Sequence, residues 1–117
     1  MRKILIMLAL LAAPVHAQQV TSTDGAVLRA LDKISGEAKD FEIRRGEIVR
    51  VGNLAVQMTD CRFPAGNPAG DAFAELEIAE FGSENRLFSG WMIASSPALS
   101  ALEHPRYDIW VIRCITS

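Results

Sequence analysis

Apolar positions fall into two regimes along the chain. Ile4 to Ala13 is one unbroken apolar run, short of the roughly 20 residues that a membrane-spanning helix needs. From Ala26 onward the apolar positions come in strand-length pieces. Ala26–Leu31 is short and apolar, and Asp32–Gly36 reads as a turn, with Asp able to form an Asx-turn and Gly free to take positive φ. Phe41 and Ile43 alternate with Glu42 and Arg44, the period of a half-buried strand. Arg45-Gly46 and Gly52-Asn53 punctuate a short β-branched piece, Ile48–Val51. Leu54, Val56 and Met58 then alternate with polar or small residues. Strict alternation puts Cys61 on the Gln57 face, so either a bulge re-aims it or both faces are covered there. Phe63–Gly70, rich in Pro and Gly, reads as a loop, and Ala72–Phe81 as a longer strand hairpinned through residues 82–86 to Leu87–Ala94. Ser96-Pro97 opens a helical segment of about two turns, Leu99 and Leu102 share one face of it, and Pro105 stops it. Tyr107–Ile115 is apolar on both faces, which predicts a central, doubly covered strand.

Together these pieces predict an all-β domain: a small disulfide-stapled β-sandwich or partly open barrel of six to seven short strands, with one short helical turn at about 96–104. The flanks change the picture further. Met1-Arg2-Lys3, the apolar run, Pro14 and Val15-His16-Ala17 have the three-part layout of a secretion signal cut after Ala17. The expected organisation is a signal peptide over 1–17, a flexible N-terminal tail over 18–25 and a single β domain over 26–117. No transmembrane segment is expected after cleavage, and the expected location is the periplasm.

The whole chain carries 12 basic and 14 acidic residues. Loss of Arg2 and Lys3 leaves a net charge near −4, which argues against nucleic acid and against docking on anionic lipid. The two cysteines, Cys61 and Cys114, survive cleavage, and an even count in an exported domain predicts a disulfide. Two cysteines and the one remaining histidine cannot close a tetrahedral metal shell.

Candidate chemistry is sparse. His104 lies in Glu103-His104-Pro105, near Asp108. The catalytic reading makes it a general base oriented by Asp108, with Ser95, Ser96 or Ser89 as nucleophile. No nucleophile elbow accompanies these serines. Ser96 is better explained as a helix cap, and His104 as a helix C-terminal residue that bonds locally. Neither a calcium loop nor a phosphate-binding glycine motif is present, so no metal and no cofactor is expected. Trp91 shares an alternating face with Leu87 and Ile93, and Trp110 with Ile112 and Cys114, which favours core positions; exposed, they would form a ligand platform. Arg44, Arg45 and Arg50 cluster around one turn, a solvated turn by default and otherwise a site for an acidic partner.

LDKISG at Leu31–Gly36, a strand ending in Cys61, and FSGWMIASSPALSALEHPRYDIWVIRC at Phe88–Cys114 resemble a family of small exported bacterial proteins known mainly from alphaproteobacteria, catalogued as domain of unknown function 2155. The resemblance spans roughly Leu31–Cys114 and brings no catalytic role to carry over, the family having no established activity; the segment after Cys61 differs from the family's more charged, proline-rich stretch. The expectation is an exported, non-catalytic accessory or binding domain acting through an envelope protein partner. The alternatives are a small hydrolase or lyase centred on His104, and a ligand-binding sandwich using Trp91 or Trp110. Processing is the first test: N-terminal sequencing of protein released by osmotic shock should begin at Gln18, and an intact Met1 on membrane-bound protein would refute the signal peptide.

Overall fold

The computed structural model describes residues 19–116; the expected signal peptide lies outside them. Eight strands run in the order β1 (Val20–Thr23), β2 (Gly25–Asp32), β3 (Ala38–Arg44), β4 (Ile48–Val51), β5 (Leu54–Pro64), β6 (Phe73–Glu80), β7 (Arg86–Ile93) and β8 (Tyr107–Cys114). They form two antiparallel sheets. One has the order β1-β5-β6-β7, with β4 also paired to β5; the other has the order β3-β2-β8. Their inner faces enclose one core, and the sheets do not close into a barrel.

The core follows from alternation. Ala26 and Leu28 of β2, Ile43 of β3, and Ile109 and Val111 of β8 face Leu54, Val56 and Met58 of β5, Leu76 and Ile78 of β6 and Met92 of β7, all buried. Each large aliphatic side chain taken out of water contributes roughly 1.5–3 kcal/mol. Among the described residues no charged side chain is buried, so the interior carries no ionic network and the charged groups lie at the periphery.

Three one-residue bulges interrupt the ladders. In β5 the register passes from Met58 opposite Leu76 to Asp60 opposite Glu75, which leaves Thr59 as the extra residue. In β8 it passes from Val111 opposite Leu28 to Arg113 opposite Val27, which leaves Ile112 extra. In β7 Leu87 is extra, between Arg86 and Phe88. An extra residue reverses the facing of everything beyond it, because side chains alternate with period two. Cys61 therefore joins Met58 on the inner face, and Cys114 joins Val111. Both are buried and bonded to each other, with Cα atoms 5.7 Å apart. The bond crosses from one sheet to the other.

Several expectations are corrected. There are eight strands among the described residues, where six to seven were expected. The stretch expected as a flexible tail contains β1, whose residues Val20–Thr23 pair with Pro64–Cys61. That pairing also extends β5 through Phe63 and Pro64, expected in a loop; Pro64 sits at the strand's end, where a lost donor costs little. The helical segment at 96–104 is a single 3₁₀ turn, Pro97–Leu99, and Ser96 makes no side-chain cap. Leu102 is buried there while Leu99 is 77% exposed, so the two do not share a helix face. β8 is an edge strand, and the central strand of its sheet is β2. Trp91 and Trp110 are half-buried on outer faces, because Met92 takes the inner position in β7 and Ile109 and Val111 take it in β8.

At the β4–β5 turn Gly52 has φ +55°, and a Cβ there would collide with the Tyr107 hydroxyl. Glycine is needed at this position both for its backbone and for the approach of β8.

The crosslink closes a loop of 53 residues, for which chain entropy gives about 4 kcal/mol. Replacing both cysteines with alanine should lower the unfolding free energy by roughly that amount in denaturant titration. A thiol assay on denatured, unreduced protein should find no free thiol; two thiols would refute the bond.

Candidate functional site

β3 and β4 are edge strands of opposite sheets on the same side of the sandwich. A tight corner joins them: the Glu47 N–H donates to the Arg44 carbonyl (2.9 Å) and the Gly46 N–H to the Met58 carbonyl (2.8 Å). Beyond that corner the sheets part and leave a cleft of about 380 Å³, within the size range of small-ligand and peptide sites. Its floor is apolar, built from Ala30, Phe41, Val49, Val51 and Tyr107. Glu37, Lys39, Asp40 and Arg50 form its charged lips, and Asp32 also lines it.

Asp32 organises this end of the molecule. The N–H groups of Ile34 (2.9 Å) and Ser35 (3.2 Å) donate to its Oδ1, completing the Asx-turn with Gly36 at φ +77°. Arg106 Nη2 (3.0 Å) and Nε (3.2 Å) donate to its Oδ2. The hydrogen bonds from Arg106 chiefly lower the Asp32 carboxyl, to about 2, against the opposing effect of desolvation. Asp40 on the lip is held by the Arg29 fork, with Nε 2.6 Å from Oδ1 and Nη2 3.0 Å from Oδ2. That contact draws its carboxyl below the ordinary range.

The residues of the catalytic alternative are each engaged elsewhere. His104 lies in the loop after the 3₁₀ turn, so it does not end a helix. Its Nδ1 accepts from the Arg106 N–H (3.0 Å) and the Tyr107 N–H (3.2 Å), and its ring stacks on Tyr107. An Nδ1 that accepts two amides carries no proton, so in the neutral ring the proton is on Nε2. Asp108 pairs with Lys33 Nζ (3.5 Å), and Lys33 also donates to the His104 carbonyl. The Ser95 hydroxyl donates to Asp71 Oδ2 (2.6 Å). Partial burial works to raise the Asp71 carboxyl, but hydrogen bonds from Ser95 and Ala72 outweigh it and leave it lowered. Ser96 is exposed, and Ser89 lies on β7 opposite Glu77. Nucleophile, base and orienting acid are thus not brought into one constellation.

The arginines do not form one patch either. Arg44 pairs with Asp24 (3.4 Å), and Arg45 donates to Asp60 (3.0 Å) and to the Thr23 carbonyl (2.9 Å). Arg50 alone reaches the cleft; its Nε donates to the Gly52 carbonyl (3.0 Å) and its guanidinium lies 4.1 Å from the centre of the Phe81 ring. Trp91 is on the far sheet, covered by the Arg62 guanidinium at 4.7 Å. Arg62, Arg45 and Ser22 all donate to Asp60. Burial works to raise that carboxyl, and these three bonds outweigh it. Trp91 and Trp110 lie in different sheets and share no site.

Sequence reading missed the cleft residues Phe41, Val49, Val51 and Tyr107. Each looks like an ordinary strand residue, and only the parting of two edges assembles them. The one available signal was the shortness of Ile48–Val51, a four-residue strand too short to cover its side of the sandwich.

A family model described as "Uncharacterized protein conserved in bacteria (DUF2155)" matches residues 26–114. "Uncharacterized protein RP359" of Rickettsia prowazekii (strain Madrid E) is 30% identical over 95 residues, covering 79% of this chain and 61% of the relative. The chain therefore spans about three fifths of that relative's length. No solved structure matches.

The Asp32–Arg106 contact predicts a pH dependence. A carboxyl with a lowered folded-state pKa contributes stability that is present above its unfolded value, about 3.9, and is lost as pH falls through about 2. In an NMR titration Arg106→Gln should move the Asp32 carboxyl up toward the ordinary range, and the fall in stability with acid between about pH 4 and pH 2 should become shallower. An unchanged Asp32 titration would show that Arg106 does not hold it.

Proposed function

The chain belongs to the bacterial protein family described as DUF2155, and for this member we propose a non-catalytic accessory role: a domain exported to the periplasm that binds a protein partner of the cell envelope through the cleft between β3 and β4. The observation that carries this reading is the cleft itself, with an apolar floor, lips of both charges and two flanking edge strands. Apolar contacts supply affinity at such a site, and the charged rim supplies orientation. Export is supported by the layout of residues 1–17, and the crosslink suits an oxidising compartment. The enzyme alternative has less support, since His104, Asp108 and Ser95 are committed to backbone amides, Lys33 and Asp71 respectively.

The test is capture from the native envelope by the parent and by variants, read by mass spectrometry. Val49→Asp on the floor and Arg50→Glu on the lip should each lower recovery of the partner at least tenfold, with cooperative unfolding retained. His104→Ala should leave capture intact and cost roughly 1–2 kcal/mol of stability, since two amides lose their acceptor. A His104→Ala protein that folds as well as the parent yet loses function would overturn the reading and make Asp108, Ser95 and Ser96 the next residues to examine.

A further inference from the structure

The backbone of β3 shows which chemistry the cleft takes. In an antiparallel pair, successive residues point their N–H and C=O groups alternately toward the partner strand and away from it. Three contacts set the phase for β3. The Arg45 N–H donates to the Asp24 carbonyl (2.7 Å) and the Asp32 N–H to the Glu37 carbonyl (2.9 Å), so odd-numbered residues face β2. The Arg44 N–H instead points away and donates to Glu47 Oε1 (3.1 Å). Ala38, Asp40 and Glu42 therefore direct their main-chain N–H and C=O groups to the open edge, and among the described residues no strand pairs there. The Glu47 carboxylate caps the edge at Arg44, so the free row is those three residues. Such a row is a template for an added strand.

The two faces of that edge differ. Inward lie Phe41 and the apolar floor of the cleft. Outward lie the side chains of Asp40, already held by the Arg29 fork directly across the ladder, and of Glu42, acidic and exposed. A strand laid along β3 would set its inward side chains against Phe41, Val49 and Val51, and its outward ones beside the Glu42 carboxylate and the Asp40–Arg29 pair. Opposite charges directly across a strand pair are favourable and like charges are not. We propose that the cleft takes an extended peptide segment of a partner protein as a fourth strand on β3, with apolar side chains turned into the cleft and basic side chains alternating outward. The added strand occupies the gap between the two sheets. This rests on the binding reading above and names the chemistry of its partner.

The probe is a blocked seven-residue peptide alternating lysine and valine, with a glutamate–valine peptide as its charge-reversed control, added to the mature protein. Amide exchange followed by NMR should show the Ala38, Asp40 and Glu42 amides slowed at least tenfold by the lysine peptide, with at least tenfold weaker binding of the glutamate peptide. Glu42→Pro removes a donor that β2 does not use, at an edge position where proline is tolerated. It should fold with an unchanged melting transition and bind the lysine peptide at least tenfold more weakly. Glu42→Gln, which keeps the donor, should retain slowed edge amides while narrowing the preference for lysine over glutamate. Unchanged exchange at the three amides, equal binding of both peptides, or edge protection in the protein alone that grows with its concentration, as pairing of two copies would give, each overturns the proposal. Envelope capture sensitive to Val49→Asp but indifferent to Glu42→Pro would keep the cleft as a binding site and reject strand addition.

Discussion

The bond between Cys61 and Cys114 is the constraint on which the rest of the molecule depends. It joins β5 of one sheet to β8 of the other. It exists because each strand carries one residue too many for its ladder, Thr59 in β5 and Ile112 in β8. Without either insertion one sulfur would point outward and the other into the core. The same two bulges place Cys61 beside Phe63 and Cys114 beside Ala26 in a core with no buried charged side chain among the described residues. A small domain of this size has little stability to spare, so a crosslink of about 4 kcal/mol is a large share of it.

The crosslink also fixes where the sheets can part. Cys61 lies seven residues beyond Leu54 along β5, and Cys114 seven beyond Tyr107 along β8. At about 3.3 Å per residue the fastened end is roughly 23 Å from the end that carries Tyr107 and Gly52. There the seat of Tyr107 on Gly52 joins the two sheets, while the Asp32–Arg106 contact and the Lys33 bonds to Asp108 and the His104 carbonyl fasten β2 to β8 within one of them. Edge strands β3 and β4 diverge at this end, and the cleft is the space between them. A sandwich fastened at one end and open along one side is suited to receive a chain segment, and its charged groups sit where such a segment would meet them.

His104 illustrates how local bonding absorbs a residue that looks chemical. Its ring nitrogen ties down two amides at the entry to β8, where the chain leaves its irregular connection from β7 and rejoins a ladder. Asp108 and Ser95 are similarly spent on Lys33 and Asp71. All three lie near one another in sequence because a long connection between sheets needs many local anchors. Proximity in sequence there reflects loop construction.

Much of the fold was legible in the chain itself. Alternation located Phe41 with Ile43, Leu54 through Met58, and Leu76 with Ile78 on inner faces; Asp32 and Gly36 marked their turn; the even cysteine count in a chain with a signal-like start indicated the crosslink. These features depend on residues close in sequence, where period and turn chemistry act directly. Tertiary structure decided the rest. Alternation left the facing of Cys61 open and put Cys114 on one face with Trp110, which the bulge at Ile112 sends to opposite faces, since a bulge is a mismatch between two strands and is invisible in either alone. It likewise set Trp91 and Trp110 inside, where the registers of β7 and β8 put Met92 and Val111. The candidate site was hidden for the same reason: Phe41, Val49, Val51 and Tyr107 come from three strands, β3, β4 and β8, and they make a cleft only because two sheet edges separate while a bond holds the far end closed.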